Sequence, residues 1–258
     1  MYAAERQQRI VRATQAQGRI DVVSMAEKLG VTAETIRRDL SALEARGLVR
    51  RVHGGALPRV AEGFEPALES RAASHVEQKR RIARAALPLL DEGVRSILLD
   101  AGTTTTALAA ELPALVQDGR ELTVVTNSLS VGTALVHEPR IHLHLVGGRV
   151  RPRTLAAVGS DVEDQLRRFS VDLTFLGTNG LHADQGLTTP NSEEAAAKRA
   201  MAAAGAAVIA LADSTKVGQT HLCRVAQVGD LDGIITDTGI DDEQRAELEA
   251  HGVEVVAA

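Results

Sequence analysis

Small polar residues and glycines recur where apolar segments of this chain end. They occur in Asp100-Ala-Gly-Thr-Thr-Thr-Thr106, Thr126-Asn-Ser128, Gly147-Gly-Arg149, Gly177-Thr-Asn-Gly180 and Asp213-Ser-Thr-Lys216. Glycine lets a ligand approach the backbone, hydroxyl and amide groups bond to oxygen-rich ligands, and lysine supplies positive charge. This combination predicts a site for an anionic, polyhydroxylated ligand.

The glycine and threonine run of residues 102–106 precedes an apolar helical pattern. Free amide groups at a helix N-terminus attract phosphate, and Lys216 could add a point charge to the same group. Threonine runs also cap helices, and aspartates at strand ends often bond to neighbouring turns, without any ligand. We predict that the ligand is bound by Asp100, Gly102, Thr103, Thr104, Thr105, Asn127, Gly148, Asn179, Gly180 and Lys216.

Alternating apolar strands and helices must position these turns. Strands are predicted over residues 96–99, 122–125, 142–146, 173–176, 208–211, 233–236 and 253–256, after a first helix over about 76–90. Strands separated by helices favour a parallel sheet covered on both faces, a Rossmann-like α/β domain. Ligands of such sheets bind outside the carboxyl ends of the strands, where these turns should converge.

Residues 22–41 have the spacing of a helix-turn-helix. Gly30 suits the tight turn, and Thr32 can cap the second helix. Met25, Leu29, Val31, Ile36 and Leu40 would form the inward apolar face. Thr35, Arg37 and Arg38 would then point outward, where a recognition helix meets the major groove of DNA.

A basic hairpin is predicted to follow the recognition helix, which should end at Gly47. Residues 48–57 place two apolar-rich arms around Gly54-Gly55, the pattern of a short wing. The alternative is a solvated basic hairpin without a DNA role. With the helix-turn-helix beside it, we predict that DNA is contacted by Thr32, Thr35, Arg37, Arg38, Arg50, Arg51 and His53.

Charge is divided unevenly between the two parts of the 258-residue chain. Residues 1–59 carry 11 Lys and Arg against 6 Asp and Glu, a net +5, whereas residues 60–258 carry 18 against 28, a net −10. The basic excess is confined to the end expected to meet phosphates. We expect a winged helix-turn-helix domain over 1–58, including a bracing helix over 5–17, a linker over 59–75 and the α/β domain over 76–258.

Composition argues against several other classes of protein. A single cysteine, Cys223, precludes an intrachain disulfide and argues against a thiolate zinc site, and His142 and His144 lack a third metal ligand nearby. The longest apolar run, residues 200–212, is shorter than the roughly 18 residues of a membrane span, and no signal segment opens the chain. With few aromatic residues, duplex DNA is favoured over single strands. We therefore expect a cytoplasmic protein without metal or cofactor.

With these residues identified, the chain resembles bacterial transcriptional regulators of the DeoR family over nearly its whole length. The N-terminal signature consists of Glu5-Arg6, Ile10, Gly18, Leu29-Gly-Val31, Thr35-Ile-Arg-Arg-Asp-Leu40, Leu43-Glu44, Gly47-Leu48 and Arg51-Val-His-Gly-Gly-Ala56. The second half matches at Lys79, Asp100-Ala-Gly-Thr-Thr-Thr105, Val125-Thr-Asn127, Gly147-Gly148, Gly159, Asp172, Gly186-Leu-Thr188, Glu194-Ala195, Lys198 and Asp213. The family's usual Asp-Ser-Ser-Lys is here Asp213-Ser-Thr-Lys216, which retains the hydroxyl.

The resemblance implies a repressor of a sugar-catabolism or uptake operon that leaves DNA when a phosphorylated sugar binds. It also implies a sensor domain similar to ribose-phosphate isomerases, glucosamine-phosphate deaminases and CoA transferases. The opening Met1-Tyr-Ala-Ala-Glu-Arg6 resembles the subgroup that regulates fructose uptake, which points to fructose 1-phosphate. A homo-oligomer, dimer or tetramer, is expected because operators commonly mirror a protein two-fold axis.

The alternative is an enzyme, a sugar-phosphate isomerase or deaminase with an accessory DNA-binding module. Such a reaction needs a general base. Asp100, Asp213 and Glu194 are acidic candidates, but no histidine and carboxylate pair at a strand end supports them. We therefore expect no catalytic residues.

Overall fold

The computed structural model describes residues 3–17, 20–46, 48–52, 54–58, 67–117 and 119–258. The chain divides into two compact units, Met1–Ser74 and His75–Ala258, which are treated separately below. The helices are α1 (Ala3–Gln17), α2 (Val22–Leu29), α3 (Ala33–Ala45), α4 (Leu68–Ala73), α5 (Val76–Ala86), α6 (Thr103–Leu115), α7 (Leu129–Leu135), α8 (Ser160–Leu166), α9 (Ser192–Ala204) and α10 (Asp242–Glu249).

The strands are β1 (Ile20–Asp21), β2 (Val49–Val52), β3 (Gly55–Pro58), β4 (Ser96–Leu99), β5 (Leu122–Thr126), β6 (Ile141–Leu145), β7 (Arg149–Arg151), β8 (Ala156–Val158), β9 (Val171–Gly177), β10 (Gly180–His182), β11 (Gly186–Thr189), β12 (Gly205–Leu211), β13 (Cys223–Ala226), β14 (Gly233–Thr236) and β15 (Glu254–Ala257). Short 3-10 helices cover Leu87–Leu89, Ser214–Lys216 and Val228–Asp230.

The first unit has the predicted helix-turn-helix. Gly30 ends α2 in the left-handed region at φ 65°, and the Thr32 side chain caps α3 by accepting a hydrogen bond from the Thr35 amide at 3.2 Å. Ile10, Met25, Ile36, Leu40 and Leu43 are among the residues that form its core. Leu29 and Val31, expected to face inward, are only partly buried but pack against this core.

The wing is present as an antiparallel hairpin of β2 and β3, to which β1 adds a third strand in the order β1-β3-β2. Gly54 takes a positive φ of 75° at the turn. Its neighbour Gly55, predicted as a turn residue, instead belongs to β3 and pairs with Val52 and Asp21. The predicted contact residue His53, the predicted helix end Gly47 and the signature residue Gly18 lie outside the described residues.

The second unit is built on a seven-stranded sheet with the order β15-β14-β12-β9-β4-β5-β6. All its pairings are parallel, and one apolar core lies on each face. The seven predicted strands correspond to these seven, and the α/β fold class is confirmed. A hairpin of β7 and β8 and a small antiparallel sheet of β10, β11 and β13 were not predicted.

One local expectation was wrong. The helix predicted to reach residue 90 ends at Ala86, since Pro88 has no N–H to donate to the carbonyl of Arg84 and its ring would crowd that carbonyl. The expected linker is not wholly irregular, because α4 occupies Leu68–Ala73. Among the described residues, no helix is long and apolar enough to cross a membrane.

Candidate functional site

The outer face of α3 is the candidate nucleic-acid interface. Ile36, Leu40 and Leu43 are buried against the helix-turn-helix core, whereas Glu34 and Arg38 are exposed. With 3.6 residues per turn, positions 34 and 38 lie on the side opposite the core and one turn apart. This side has the orientation expected of a recognition helix surface.

The side chains predicted to contact DNA differ in whether they already have hydrogen-bond or ion-pair partners within the protein. The Thr35 hydroxyl shares a hydrogen bond with that of Thr32 at 2.9 Å, and Arg37 pairs with Glu34 at 3.4 Å. Arg38 and Arg50 are exposed, and neither side chain makes a hydrogen bond or ion pair with any described residue. Their guanidinium groups are therefore the most available to an added ligand.

Arg51 fastens the wing to the recognition helix. Its amide donates to Glu44 at 2.8 Å, and its Nη1 donates to the Ser41 hydroxyl at 2.9 Å. Both partners lie on α3. The wing and the recognition helix consequently present one continuous surface.

Asp39 anchors α3 to α1 through a nearly buried ion pair that sequence reasoning did not identify. Its carboxylate accepts hydrogen bonds from Arg6 Nε at 2.5 Å and from Gln7 Nε2 at 3.0 Å. The bond to Asp39 raises the pKa of Arg6 above its ordinary value. The consecutive Arg38 and Asp39 thus have opposite roles, one facing outward and one holding the helix in place.

The predicted ligand residues of the second unit lie at the carboxyl ends of the strands, which we call the sheet edge. They follow β4, β5, β6, β9 and β12, which are five adjacent strands. The chain order reverses between β4 and β9, since β5 and β6 extend the sheet to one side and β12 and β14 to the other. A crevice at such a reversal is the usual ligand position in open α/β sheets.

Asp100 holds the turn after β4 together. Its Oδ2 accepts hydrogen bonds from the Gly177 amide at 2.9 Å and from Lys198 Nζ, and its Oδ1 accepts one from Thr105 Oγ1 at 2.8 Å. Lys198 Nζ also donates to the Gly177 carbonyl at 2.8 Å. Asp100 and Thr105 are buried, and their side chains bond to other groups of the protein. They therefore shape the turn between β4 and α6.

Gly102 gives this turn its close packing. A Cβ there would lie 2.9 Å from Thr105 Oγ1 and 3.1 Å from Asp100 Oδ1. The Gly102 amide bonds to Thr105 Oγ1 at 3.0 Å, and α6 begins at the next residue. The first turn of α6, with Thr103 and Thr104, therefore starts from a fixed point at the sheet edge and carries the positive end of the helix dipole.

Asn127, which follows β5, carries a buried acceptor without a partner. Its Nδ2 donates to the Ala157 carbonyl at 2.8 Å, which fixes the orientation of the amide, because the reverse orientation would oppose two oxygens. Its Oδ1 is inaccessible to solvent and bonds to no described residue. An unsatisfied buried acceptor costs about 1–3 kcal/mol. A hydrogen-bond donor supplied by a ligand would remove this cost.

Most of the remaining predicted ligand residues take part in packing or hydrogen bonding within the protein. A Cβ at Gly148 would lie 2.6 Å from Val162 Cγ2, and one at Gly180 would lie 2.5 Å from the Gln219 carbonyl. Asn179 Oδ1 accepts a hydrogen bond from Thr189 at 3.1 Å. Lys216 is half-buried in the 3-10 turn after β12.

His221 contacts Asn179, one of the predicted ligand residues, and was not among the predictions. Its Nε2 is 3.2 Å from the Asn179 carbonyl. Burial lowers the pKa of His221 from 6.5, the Asn179 carbonyl opposes that shift, and the charge of Lys216 adds to it. The imidazole is therefore neutral at pH 7.

A second group of charged side chains lies at this end of the strands, and its contacts were not predicted. Glu194 on α9 accepts hydrogen bonds from Arg151 and Thr154, which belong to the hairpin after β6. Glu194 and Lys198 are four residues apart on α9 and are both buried. Their spacing was the available signal in the sequence, but their partners come from segments 43 and 98 residues away.

No metal centre emerges from the described part of the chain, where no group of three His, Cys, Asp or Glu side chains is suitably placed. His142 lies 3.4 Å from Glu121, and the His144 ring packs edge-on against Phe169 at 5.5 Å. The two histidines have separate neighbours.

Two family models match the two units. The model of the DeoR-like helix-turn-helix domain matches residues 6–58, and the model of the DeoR C-terminal sensor domain matches residues 74–238. The chain belongs to the DeoR family. It is therefore a DNA-binding transcriptional regulator of the DeoR type, and its family is not one of enzymes.

Full-length relatives agree with this DeoR assignment. The chain is 41% identical over 256 residues to the HTH-type transcriptional regulator GlpR of Haloferax volcanii, covering 99% of this chain and 98% of that protein. It is 31% identical over 255 residues to a putative aga operon transcriptional repressor of Escherichia coli O157:H7, covering 98% and 93%.

A solved structure of ribose 5-phosphate isomerase A from Methanocaldococcus jannaschii is similar at a TM-score of 0.42, with 16% identity over 55% of each chain. The DeoR assignment rests on the two family models and the full-length relatives.

Several DeoR-family signature residues have structural roles in this chain. Asp172, at the start of β9, accepts hydrogen bonds from the amides of Arg95 and Ser96 at 2.9 and 2.8 Å and from the Ser96 hydroxyl at 2.8 Å. These bonds lower the pKa of the Asp172 carboxyl group below 3.8. Asp172 therefore joins β9 to β4 at the amino ends of these strands, opposite the candidate ligand site.

Proposed function

We propose that this DeoR-family protein represses a sugar-catabolism or uptake operon and leaves its operator when a phosphorylated sugar binds to the second unit. Residues 1–58 bind DNA, residues 59–75 link the two domains, and residues 76–258 bind the phosphorylated sugar. The observation that carries the sugar proposal is the unpartnered, buried Oδ1 of Asn127. Asn127 directly follows β5, the neighbour of β4, and Asp100 holds the turn between β4 and α6.

Each part of a sugar phosphate has a counterpart at this sheet edge. The first turn of α6 offers backbone amides to the phosphate, and Lys216 offers a positive charge. Asn127 Oδ1 accepts a hydrogen bond from a sugar hydroxyl once the turn after β5 shifts to expose it, since this oxygen is inaccessible to solvent in this structure. Strand neighbours are about 4.8 Å apart, so β12, β9, β4 and β5 span roughly 15 Å, which accommodates a hexose phosphate.

The effector that we propose to test first is fructose 1-phosphate, on the strength of the subgroup resemblance of residues 1–6. Thermal unfolding of the full chain is measured with fructose 1-phosphate, other sugar phosphates, free fructose and inorganic phosphate. A rise in the melting temperature with one sugar phosphate alone identifies the effector. An unchanged melting temperature with every sugar phosphate at millimolar concentration would contradict the proposed sensing function.

We further propose that the protein acts as a homo-oligomer, a dimer or a tetramer. One recognition helix and one wing give a short contact with DNA, whereas two related by a two-fold axis read two half-sites one helical turn apart. Light scattering of the operator complex tests this. Two or four chains per duplex are expected, and one chain per duplex would contradict it.

A further inference from the structure

An acidic side chain lies on the DNA-facing side of the recognition helix. Glu34 and Arg38 are exposed and one turn apart, opposite the buried Ile36, Leu40 and Leu43. Glu34 is not among the predicted DNA-contacting residues, and phosphates repel a carboxylate. Its position on the helix gives it access to base edges nonetheless.

Glu34 is the second residue of α3, immediately after the Thr32 cap and Ala33. The N-terminal residues of a recognition helix are the ones that contact base edges in the major groove. The Glu34 side chain keeps 71% of its accessible surface. It is therefore free to approach a base without any rearrangement of the helix-turn-helix core.

The contact between Glu34 and Arg37 does not remove this availability. The two side chains are 3.4 Å apart, and 56% of the Arg37 side chain is exposed. Exposed pairs of this kind contribute about 0–1 kcal/mol, less than a good contact to a base. Arg37 can hold the carboxylate in place before binding and remain beside it afterwards.

We propose that Glu34 is a specificity-determining residue that selects a cytosine in each operator half-site. A carboxylate has only acceptors, and the cytosine N4 amino group is the major-groove donor that glutamate contacts. Four residues of helix rise about 6 Å and a base-pair step rises about 3.4 Å. The selected cytosine consequently lies about two base pairs from the position that Arg38 faces.

A purely repulsive surface charge would behave differently. It would weaken binding to all duplexes equally, because phosphates are the same at every position. A base-reading carboxylate imposes a preference at one base pair and leaves preferences elsewhere unchanged. The two roles are separated by sequence preference rather than by affinity alone.

The experiment is selection of binding sites from a randomised duplex library by the full chain, the variants Glu34→Ala and Glu34→Gln, and the matched control Glu27→Ala. Glu27 is exposed and carries the same charge, but it lies on α2. The native chain and Glu27→Ala should both enrich cytosine at one position of each half-site. Glu34→Ala should lose that preference only, and Glu34→Gln should shift it toward adenine, whose N6 and N7 pair with a glutamine amide.

Competition between the selected duplex and a duplex in which that base pair is changed measures how strongly the protein discriminates between them. The native chain should discriminate by roughly 5- to 150-fold, which corresponds to about 1–3 kcal/mol for one base contact. Glu34→Ala should bind both duplexes equally. Identical selected sequences for the native chain and both Glu34 variants would overturn the proposal while leaving DNA binding intact. If the native chain selected no sequence at all, the operator-binding function itself would fail.

Discussion

Lys198 Nζ donates a hydrogen bond to Asp100 Oδ2 at the boundary between β4 and β9, across 98 residues of sequence. Both side chains are buried. The same ammonium group donates to the Gly177 carbonyl at 2.8 Å, so α9 is fixed to the ends of both strands. The turn that leads into α6 depends on this pair for its shape.

Replacing Lys198 by methionine should destabilise the second unit strongly. The change leaves Asp100 buried without its cation, which costs about 3–5 kcal/mol of unfolding free energy. Urea unfolding followed by circular dichroism measures the loss. Lys28→Met, at an exposed position of α2, is the control and should change the free energy by less than about 0.5 kcal/mol. A Lys198→Met protein as stable as the control would show that the pair does not hold the turn.

Arg38→Ala should weaken operator binding by about 1–3 kcal/mol if the side chain contacts a base, and equally across sequences if it contacts phosphate. Arg37→Ala should have a smaller effect, because Arg37 is already paired with Glu34. Fluorescence anisotropy with selected and unrelated duplexes separates these cases. Arg12→Ala, an exposed charge on α1, is the control. Unchanged operator affinity for both α3 variants would remove this helix from the groove.

Lys216→Ala should leave operator affinity intact and reduce release by the effector. The half-buried lysine lies after β12 at the proposed sugar-phosphate site, and losing its charge weakens phosphate binding. The concentration of sugar phosphate that releases half of the DNA should rise at least several-fold. Arg140→Ala removes an exposed charge just before β6, at the amino ends of the strands and therefore away from the proposed site. This variant should not alter release. Normal release by Lys216→Ala would place the lysine outside the site.

The helix-turn-helix and the parallel sheet could be predicted because local patterns determine them. Gly30, Thr32 and the spacing of apolar residues specify α2 and α3 within a few residues of chain. The alternation of strands and helices likewise predicts that the turns after the strands meet at one end of the sheet, but it does not specify the order of the strands. The end of the helix at Ala86 was missed although Pro88 was visible, since the apolar spacing continues past the proline.

The partners of buried charges could not be predicted in the same way. Arg151 meets Glu194, and Arg6 meets Asp39, only after distant segments have folded together. Spacing along one helix shows that Glu194 and Lys198 share a face, but not what faces them. The unpartnered Oδ1 of Asn127 is likewise a property of the folded chain, because it depends on the Ala157 carbonyl that orients the amide.

Asp172→Asn should destabilise the second unit most at neutral pH. The pKa of Asp172 is lowered below 3.8, mainly by the hydrogen bond from the Arg95 amide, so ionised Asp172 stabilises the folded state above that pH. This contribution is lost as the pH falls through the folded-state pKa. The difference in unfolding free energy between the native chain and the variant should be about 1–3 kcal/mol at pH 7 and shrink below pH 4. A difference that does not vary with pH would contradict this role.

His221→Gln should flatten the acid side of the stability profile. The pKa of His221 is lowered chiefly by burial, so below about pH 6.5 the unfolded chain takes up a proton that the folded chain resists. Stability of the native chain should therefore fall as the pH decreases from 7.5 to 5.5. Melting temperatures of the glutamine variant should fall less over that range, whereas parallel profiles would show that His221 does not titrate differently on folding.

The central claim is that one sugar phosphate, bound at the sheet edge, dissociates the protein from its operator. The direct measurement is the anisotropy of a labelled, selected duplex bound to the full chain during titration with fructose 1-phosphate, other sugar phosphates, free fructose and inorganic phosphate. The account predicts that one sugar phosphate releases the DNA, that the sugar and phosphate alone do not, and that Asn127→Ala weakens the response. Retention of the duplex with every sugar phosphate, or release by inorganic phosphate alone at the same concentration, would contradict it.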